Sequence, residues 1–204
     1  MARLLIILLL PFTLNAQTHL WQDSASLFAK ANNVQFVDYT PKPGKPGKDV
    51  DFVVELVTLG ALNKQGKDGN DGPALTISVK VLNLYDQQLL LISIPSPKTG
   101  LTDSFYVNPY KGQLKIIADG ADGGVGGTSQ KGIKGDPGKA GKGGSFEVLL
   151  DSTAAAFIRC KCLLFSNKGG VGRDKQPGTT DEVYLGNGEL LRLYDKPVVW
   201  KLVK

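Results

Sequence analysis

Residues 120–144 read GADGGVGGTSQKGIKGDPGKAGKGG. Glycine occupies every third position of this stretch except one, where Ser129 stands. The in-frame glycines are Gly120, Gly123, Gly126, Gly132, Gly135, Gly138, Gly141 and Gly144. A glycine at every third position suits polyproline-II geometry, which has three residues per turn and a rise of about 3.1 Å per residue. All the glycines then fall on one edge of the segment, and that bare edge allows another segment to approach closely.

Shorter tracts elsewhere in the chain repeat this spacing. They comprise Gly60, Gly66, Gly69 and Gly72 with a break at Asn63, then Gly169, Gly172 and Gly178 with a break at Lys175, and Gly44 with Gly47 in the segment PKPGKPGKD. We therefore treat 60–72, 120–144 and 169–178 as three related tracts. A chain that keeps the same period three times is expected to use it structurally.

Strand-like segments surround the tracts. Residues 74–82 (ALTISVKVL) alternate, with Leu75, Ile77, Val79 and Val81 on one face, which is typical of a half-buried strand. Further strands are predicted at 50–57, 89–94, 113–118, 145–150, 157–165, 183–185 and 198–203, with a hairpin at Asn187-Gly188 and a weak helix over 22–31. The fold class predicted is mainly β, an antiparallel or mixed sheet or sandwich with long Gly-rich loops projecting from one end.

The Gly-rich loops have two alternative states. Fully extended, residues 120–144 would span roughly 75 Å, which is longer than a domain of this size is wide. A reversal at 128–131 would bring 120–126 beside 132–144, and the other two tracts would complete a bundle with backbone hydrogen bonds between its arms. The alternative is a set of flexible, solvated loops, because Lys, Asp and Gly resist burial. Retention of the glycine frame favours the bundle.

The N-terminus has the layout of a secretory signal peptide. Arg3 precedes the apolar run of residues 4–14, and Ala16 supplies a small residue for cleavage before Gln17. The run is too short to span a bilayer as a helix. We expect residues 1–16 to be the signal peptide, 17–49 an N-terminal segment with a Pro/Gly/Lys linker, and 50–204 the β-rich domain. The expected location is outside the cytoplasm: extracellular, on the cell surface or in the periplasm.

Both cysteines lie in the segment IRCKC, as Cys160 and Cys162. On a strand, residues two apart point to the same face, near or beyond the reach of an unstrained disulfide. The simplest interpretation is two small buried apolar side chains. A strained disulfide and pairing with another chain remain the alternatives.

Catalytic motifs are scarce in this chain. His19 is the only histidine and lies close to the expected mature N-terminus, so Ser-His and Cys-His schemes lack their base. Neither a nucleophile elbow nor a P-loop is present. Pairs of acids such as Glu147 with Asp151, or Glu182 with Glu189, are interpreted as surface carboxylates. We predict a non-enzyme that uses no cofactor.

Among possible metal sites, a calcium site has the most support in the sequence. Asp68, Asn70 and Asp71 lie in KDGNDG, and Asp119 and Asp122 lie in DGADGG. The spacing of an EF-hand fails because Gly72 occupies a ligand position. Solvated loop acids are the preferred interpretation, and no metal site is predicted.

The charge balance permits an anionic partner without requiring one. The chain has 24 Lys and Arg against 19 Asp and Glu, a net charge of +5. The candidate contact residues are Lys131, Lys134, Lys139 and Lys142. No aromatic residues are interleaved with them, which argues against nucleic acid. A protein or an anionic glycan at the cell surface is the expected partner.

Stretches such as GIKGDPGKAGKGG and GKDGNDGP resemble bacterial collagen-like proteins. The alternation of strand and tract is similar to Gly-rich adhesins with bundled polyglycine-type helices, and the ending NAQ of the leader resembles signal peptides of Bacteroidota. These resemblances imply a surface-exposed structural or adhesive protein. The other hypotheses are an accessory subunit of an outer-membrane complex and a secreted glycan hydrolase. Low proline content and broken frames depart from collagen.

Overall fold

The computed structural model describes most of the chain from residue 24 onward. The described ranges are 24–49, 65–128, 132–157 and 162–174, with 183–184, 192–193, 196–197 and 199–203. The expected signal peptide 1–16, the predicted strand 50–57, the predicted hairpin at Asn187-Gly188 and Cys160 lie outside these ranges.

The described elements are mainly strands. In chain order they are α1 (24–31), β1 (Val34–Asp38), β2 (Ala74–Leu84), β3 (Gln87–Pro95), β4 (Thr102–Val107), β5 (Gln113–Ile117), β6 (Ser145–Asp151), a 3₁₀ turn (Ala154–Phe157), β7 (Leu163–Ser166), β8 (Val183–Tyr184), β9 (Arg192–Leu193), β10 (Lys196–Pro197) and β11 (Val199–Val203). Most predicted strands are confirmed, with small shifts at their ends. The strand predicted over 157–165 was placed too early, since Phe157 belongs to the 3₁₀ turn. Strands β1, β4 and β10 were not predicted.

The strands form two larger sheets of mixed direction, which confirms the predicted fold class. One has the order β1-β5-β7-β8 and the other β11-β6-β2-β3-β4, while β9 and β10 pair separately. Strands β1, β5 and β7 run parallel, as do β11, β6 and β2, whereas β2-β3-β4 and β7-β8 are antiparallel. Parallel neighbours require long crossover connections, which are usually helical. Here the chain passes through the opposite sheet between parallel neighbours, and Gly-rich residues 118–144 lead from β5 of one sheet to β6 of the other.

The inner faces of both sheets contribute to one core. Leu75, Ile77 and Val79 of β2 are buried as their alternation predicts, and they cluster with Leu114 and Ile116 of β5 from the facing sheet. Burial of apolar surface is the main stabilising contribution to such a sandwich, and it contributes about 25 cal/mol for each Å² removed from water. Cys162 also lies in this core, which confirms a buried apolar environment for that side chain.

A hydrogen bond also links the two sheets near the ends of their strands. Tyr39, directly after β1, is buried, and its hydroxyl donates to Oδ2 of Asp103 on β4 at 2.7 Å. Burial, and then the bond to this carboxylate, raise the pKa of the Tyr39 phenol well above its ordinary value. The phenol therefore remains a neutral donor throughout the physiological pH range.

Five extended segments, which we call arms, continue the strands beyond one end of the sandwich. We call them arm A (40–49), arm B (65–73), arm C (118–128), arm D (132–144) and arm E (167–174). Arms A, C and E follow β1, β5 and β7 of one sheet, and arms B and D lead into β2 and β6 of the other. The arms therefore form two layers that extend the two sheets.

Backbone hydrogen bonds join the arms in three-residue steps. Within a layer the arms run parallel: the amides of Gly120 and Gly123 in arm C donate to residues 168 and 171 of arm E, both at 2.8 Å. Between layers they run antiparallel: the amides of Gly138 and Gly141 in arm D donate to residues 124 and 121 of arm C, both at 2.8 Å. The bundle hypothesis is therefore correct for the described arms, and the alternative of solvated loops is wrong there.

The glycine edges are in backbone contact, as the period predicts. A Cβ atom on Gly120, Gly123 or Gly126 would come closer than 3.0 Å to backbone atoms of arm D, a separation that real Cβ atoms essentially never show. Gly132 is an exception to the predicted role. Its φ is +76° and no atom would contact its Cβ, so it is a turn glycine rather than a packing glycine. It lies next to the reversal, where residues 128 and 134 form an antiparallel bridge.

Arm C lies at the centre of the bundle. It bonds to all four other arms and therefore needs two bare edges rather than one. Its second edge consists of Ala121, Gly124 and Gly127, which are buried, and a Cβ on Gly124 would collide with the carbonyl of Lys45 in arm A. The doubled glycines at 123–124 and 126–127 are the sequence signal of this central position.

Residues 34–49 belong to the same architecture. The sequence placed them in a segment and linker before the β-rich domain, but β1 pairs with β5 over its whole length. Arm A is bonded to arm C through the amides of Gly44 and Gly47, both at 2.8 Å. The prolines that suggested a linker are compatible with an arm because polyproline-II geometry does not need their missing N–H groups.

Candidate functional site

Asp-Gly pairs hold neighbouring parallel arms together. In arm B, the carboxylate of Asp71 accepts the amide of Lys142 in arm D at 2.7 Å, and the amide of Gly72 donates to the carbonyl of Lys142 at 2.7 Å. One Asp-Gly pair therefore binds both backbone polar groups of a single residue on the adjacent arm. We call this arrangement the Asp-Gly clamp.

The clamp occurs four times among the described residues. The pairs are 68–69 on residue 139, 71–72 on residue 142, 119–120 on residue 168, and 122–123 on residue 171. Every carboxylate-to-amide distance is 2.7 Å. In all four pairs the Asp directly before the glycine is the residue whose carboxylate reaches an amide of the adjacent arm.

These clamps correct the interpretation of the tract acids. Asp68, Asp71, Asp119 and Asp122 were expected to be solvated loop acids, with calcium ligands as the alternative. Asp68, Asp71 and Asp122 are exposed, as expected, but each of the four acids also accepts a backbone N–H from another arm. Among the described residues, no group of three or more His, Cys, Asp or Glu side chains is arranged to hold a metal ion.

We expect Asp71→Ala to lower the free energy of unfolding by about 1 kcal/mol, because the Lys142 amide loses its acceptor. Asp71→Asn should lower it by less than half of that, since its amide oxygen still accepts. Urea denaturation measures both. Asp136→Ala is the matched control, because this exposed acid of arm D contributes only its backbone carbonyl to the bundle. Equal losses for Asp71→Ala and Asp136→Ala would contradict the clamp.

The candidate contact lysines predicted from the sequence belong to arm D where the structure describes them. Lys134, Lys139 and Lys142 are exposed there, and Lys131 falls outside the described residues. Lys139 and Lys142 lie three residues apart, so they share one edge of the arm at a spacing of about 9 Å. Lys139 also approaches Asp174 of arm E at 3.9 Å, and this exposed ion pair reduces its field only slightly.

A second row of lysines was missed by the sequence reasoning. Lys42, Lys45 and Lys48 are exposed along arm A, again at three-residue intervals. Lys67 of arm B lies across a groove from Lys45 and Lys48, and Gln65 lines the same groove. We call it the A/B groove. The repeated KPGKPGK of residues 42–48 is the signal that would have revealed the row.

The acids considered for catalysis have other roles where the structure describes them. Glu147 on β6 forms an ion pair with Lys201 of β11. Asp151 accepts the hydroxyl and the amide of Thr153, and these bonds lower the pKa of its carboxyl below the ordinary value. Glu147 therefore supports the pairing of β6 with β11, and Asp151 stabilises the turn that follows β6. Glu182 and Glu189 lie outside the described residues, as does His19.

Comparison with known proteins returns no relative. No protein-family model matches the chain, and no curated protein or solved structure matches it. Within the described part of the chain, no helix is both long and apolar enough to cross a bilayer.

Proposed function

We propose that the chain is an exported, non-catalytic structural or adhesive protein of the cell envelope. Its Gly-rich bundle presents rows of lysine side chains to an anionic glycan. The observation that carries this proposal is the regular row of Lys42, Lys45 and Lys48 on arm A, with Lys67 facing it across the A/B groove.

The bundle supports this role because backbone hydrogen bonds join its arms and the four clamp carboxylates are bonded to backbone amides of neighbouring arms. The exposed lysines of arms A and B are Lys42, Lys45 and Lys48 on arm A and Lys67 on arm B. The clamp acid Asp68 lines the A/B groove beside them, with its carboxylate bonded to the amide of Lys139. A row of cations about 9 Å apart suits a polymer with regularly repeated negative charges. Backbone hydrogen bonds between the arms fix the spacing of the lysine Cα atoms. The main chain therefore loses little conformational entropy on binding.

The expected affinity is modest and depends on salt. Exposed ion pairs contribute about 0.2–1 kcal/mol each, and their attraction is screened within a Debye length of about 10 Å at 0.1 M salt. An adhesive protein reaches useful strength by repeating such contacts along one polymer or between many copies. Slow, tight binding by a single deep site is not needed.

The test measures binding of the purified protein to heparin and to polygalacturonate, with neutral dextran as the reference polymer. We expect both polyanions to bind at low salt and to dissociate as sodium chloride is added. Lys45→Ser combined with Lys48→Ser should weaken binding roughly two- to thirty-fold, since two exposed charge contacts are lost.

Lys30→Ser combined with Lys80→Ser is the matched control. Both lysines are exposed, both lie outside the bundle, and the change in net charge is the same. Equal weakening by the two double variants would mean that only overall charge matters and would overturn the assignment to arm A. Failure of both polyanions to bind at low salt would overturn the proposal of an anionic glycan.

A further inference from the structure

A second surface lies at the end of the sandwich remote from the bundle. The arms leave the carboxyl ends of β1, β5 and β7, so the opposite end collects the β2-β3 turn and the segments that precede β1 and β5. Residues 32, 83–88 and 108–111 meet there around an open cleft of about 580 Å³. This volume falls within the roughly 300–1,000 Å³ typical of ligand sites. We call it the tyrosine cleft.

Two tyrosine rings flank the tyrosine cleft and are well exposed. Tyr85 is 63% exposed and Tyr110 is 75% exposed. Each ring has one aromatic neighbour: Phe28 of α1 lies 6.4 Å from Tyr85 between centroids, and Phe157 lies edge-on at 5.9 Å from Tyr110. An exposed ring that already packs on a neighbour loses less freedom when a ligand stacks on it than a ring without such a contact.

The backbone beneath both tyrosines is specifically fixed. Tyr85 has a φ of +53°, and it is the only residue other than glycine with a positive φ in the described chain. A bulky residue in this region is strained, and such strain is concentrated at functional sites. Asn108 is buried, its side-chain oxygen accepts the amide of Tyr110 at 2.9 Å, and its carbonyl accepts the amide of Gly112 at 2.8 Å.

Polar groups supply the rest of the lining, and most of them are uncharged. Asn32, Asn83 and Gln88 place side-chain amides around the rings, while the charges of Asp86 and Lys111 are of opposite sign. An amide offers both donors and an acceptor, which matches the paired hydroxyls of a sugar. A phenol ring is apolar on its face and polar at its tip, which matches the apolar face and hydroxyl rim of a pyranose.

We infer that the tyrosine cleft binds a neutral glycan, with Tyr85 and Tyr110 as stacking platforms. The cleft does not depend on the lysine rows, since it lies at the opposite end of the molecule and its lining is almost balanced in charge. The protein then carries two separate binding surfaces, one for a polyanion and one for an uncharged sugar chain.

The purified protein is titrated separately with maltohexaose, cellohexaose and chitohexaose, each to 5 mM. Binding is measured by calorimetry and by changes in NMR chemical shifts. At least one hexasaccharide should bind and perturb resonances of residues 83–88 and 108–111. Tyr110→Ala should weaken that binding tenfold or more, whereas Tyr110→Phe should retain most of it. Thermal unfolding of each variant establishes that the fold is intact.

Phe36→Ala is the matched control, because Phe36 is an aromatic residue with 65% exposure on β1 outside the cleft. It should leave hexasaccharide binding unchanged, as should the arm A double variant Lys45→Ser with Lys48→Ser. Absence of binding by all three sugars would overturn the inference, as would equal losses in Tyr110→Ala and Phe36→Ala. A loss confined to the lysine variant would likewise refute it and assign the sugar to the bundle.

Discussion

Gly138→Ala is expected to lower the free energy of unfolding by about 3 kcal/mol, at the upper end of the usual range for overpacking. Gly138 is buried in arm D, and a Cβ there would come closer than 3.0 Å to the carbonyl group of Lys67 in arm B. The obstacle is backbone held by hydrogen bonds, so no side-chain rotation can relieve the collision. Urea denaturation of the two proteins measures the difference.

The adjacent substitution Lys139→Ala is the control. Its side chain is exposed, so the same new residue one position along should change stability by less than about 0.5 kcal/mol. Glycine would also be replaced by alanine in the unfolded chain, which by itself favours the variant slightly. A Gly138→Ala protein as stable as Lys139→Ala would therefore refute close packing of the arms.

Phe165→Ala should lower the free energy of unfolding by about 4 kcal/mol, the usual loss for a large buried aromatic residue. Phe165 of β7 is fully buried, and its ring lies 4.8 Å from that of Phe146 on β6. Phe146 follows arm D by two residues and Phe165 precedes arm E by two, so this pair joins the sheets directly beneath the bundle. Phe36→Ala on the exposed face of β1 should be nearly neutral.

The same variant tests whether the bundle and the sandwich unfold together. Amide hydrogen exchange should show that Gly170, whose N–H donates to Gly141, loses protection in Phe165→Ala to the same extent as amides of β6. Retained protection of Gly170 in a destabilised sandwich would show that the arms are an independent unit and would contradict this coupling.

The bundle itself was predictable because its geometry depends on one repeated residue type. Glycine occupies all but one of the third positions of 120–144, and close contact between backbones requires such a bare edge. The alternation of Leu75, Ile77 and Val79 likewise predicted the buried face of β2. In both cases a local period in the sequence determines which edge or face is covered.

Other features depend on contacts that no local pattern encodes. Strand β1 was missed because Val34 and Phe36 are exposed while Gln35 is buried, which inverts the expected alternation. The pairing of arms could not be derived, since backbone hydrogen bonds do not depend on which side chains the partners carry. The tyrosine cleft is assembled from three segments far apart in the chain, so each tyrosine alone resembles an ordinary loop residue.

The five arms extend the two sheets with a repeating three-residue pattern of backbone bonds. The length of the bundle can therefore change in discrete units of three residues. Inserting one Gly-X-Y triplet into each of the five arms would add about 9 Å to the bundle. The inserted triplets would repeat the existing backbone bonds, and neither the sandwich core nor the reversal near residue 132 would change. The distance between the two ends is therefore set by a repeat number rather than by the packing of a core.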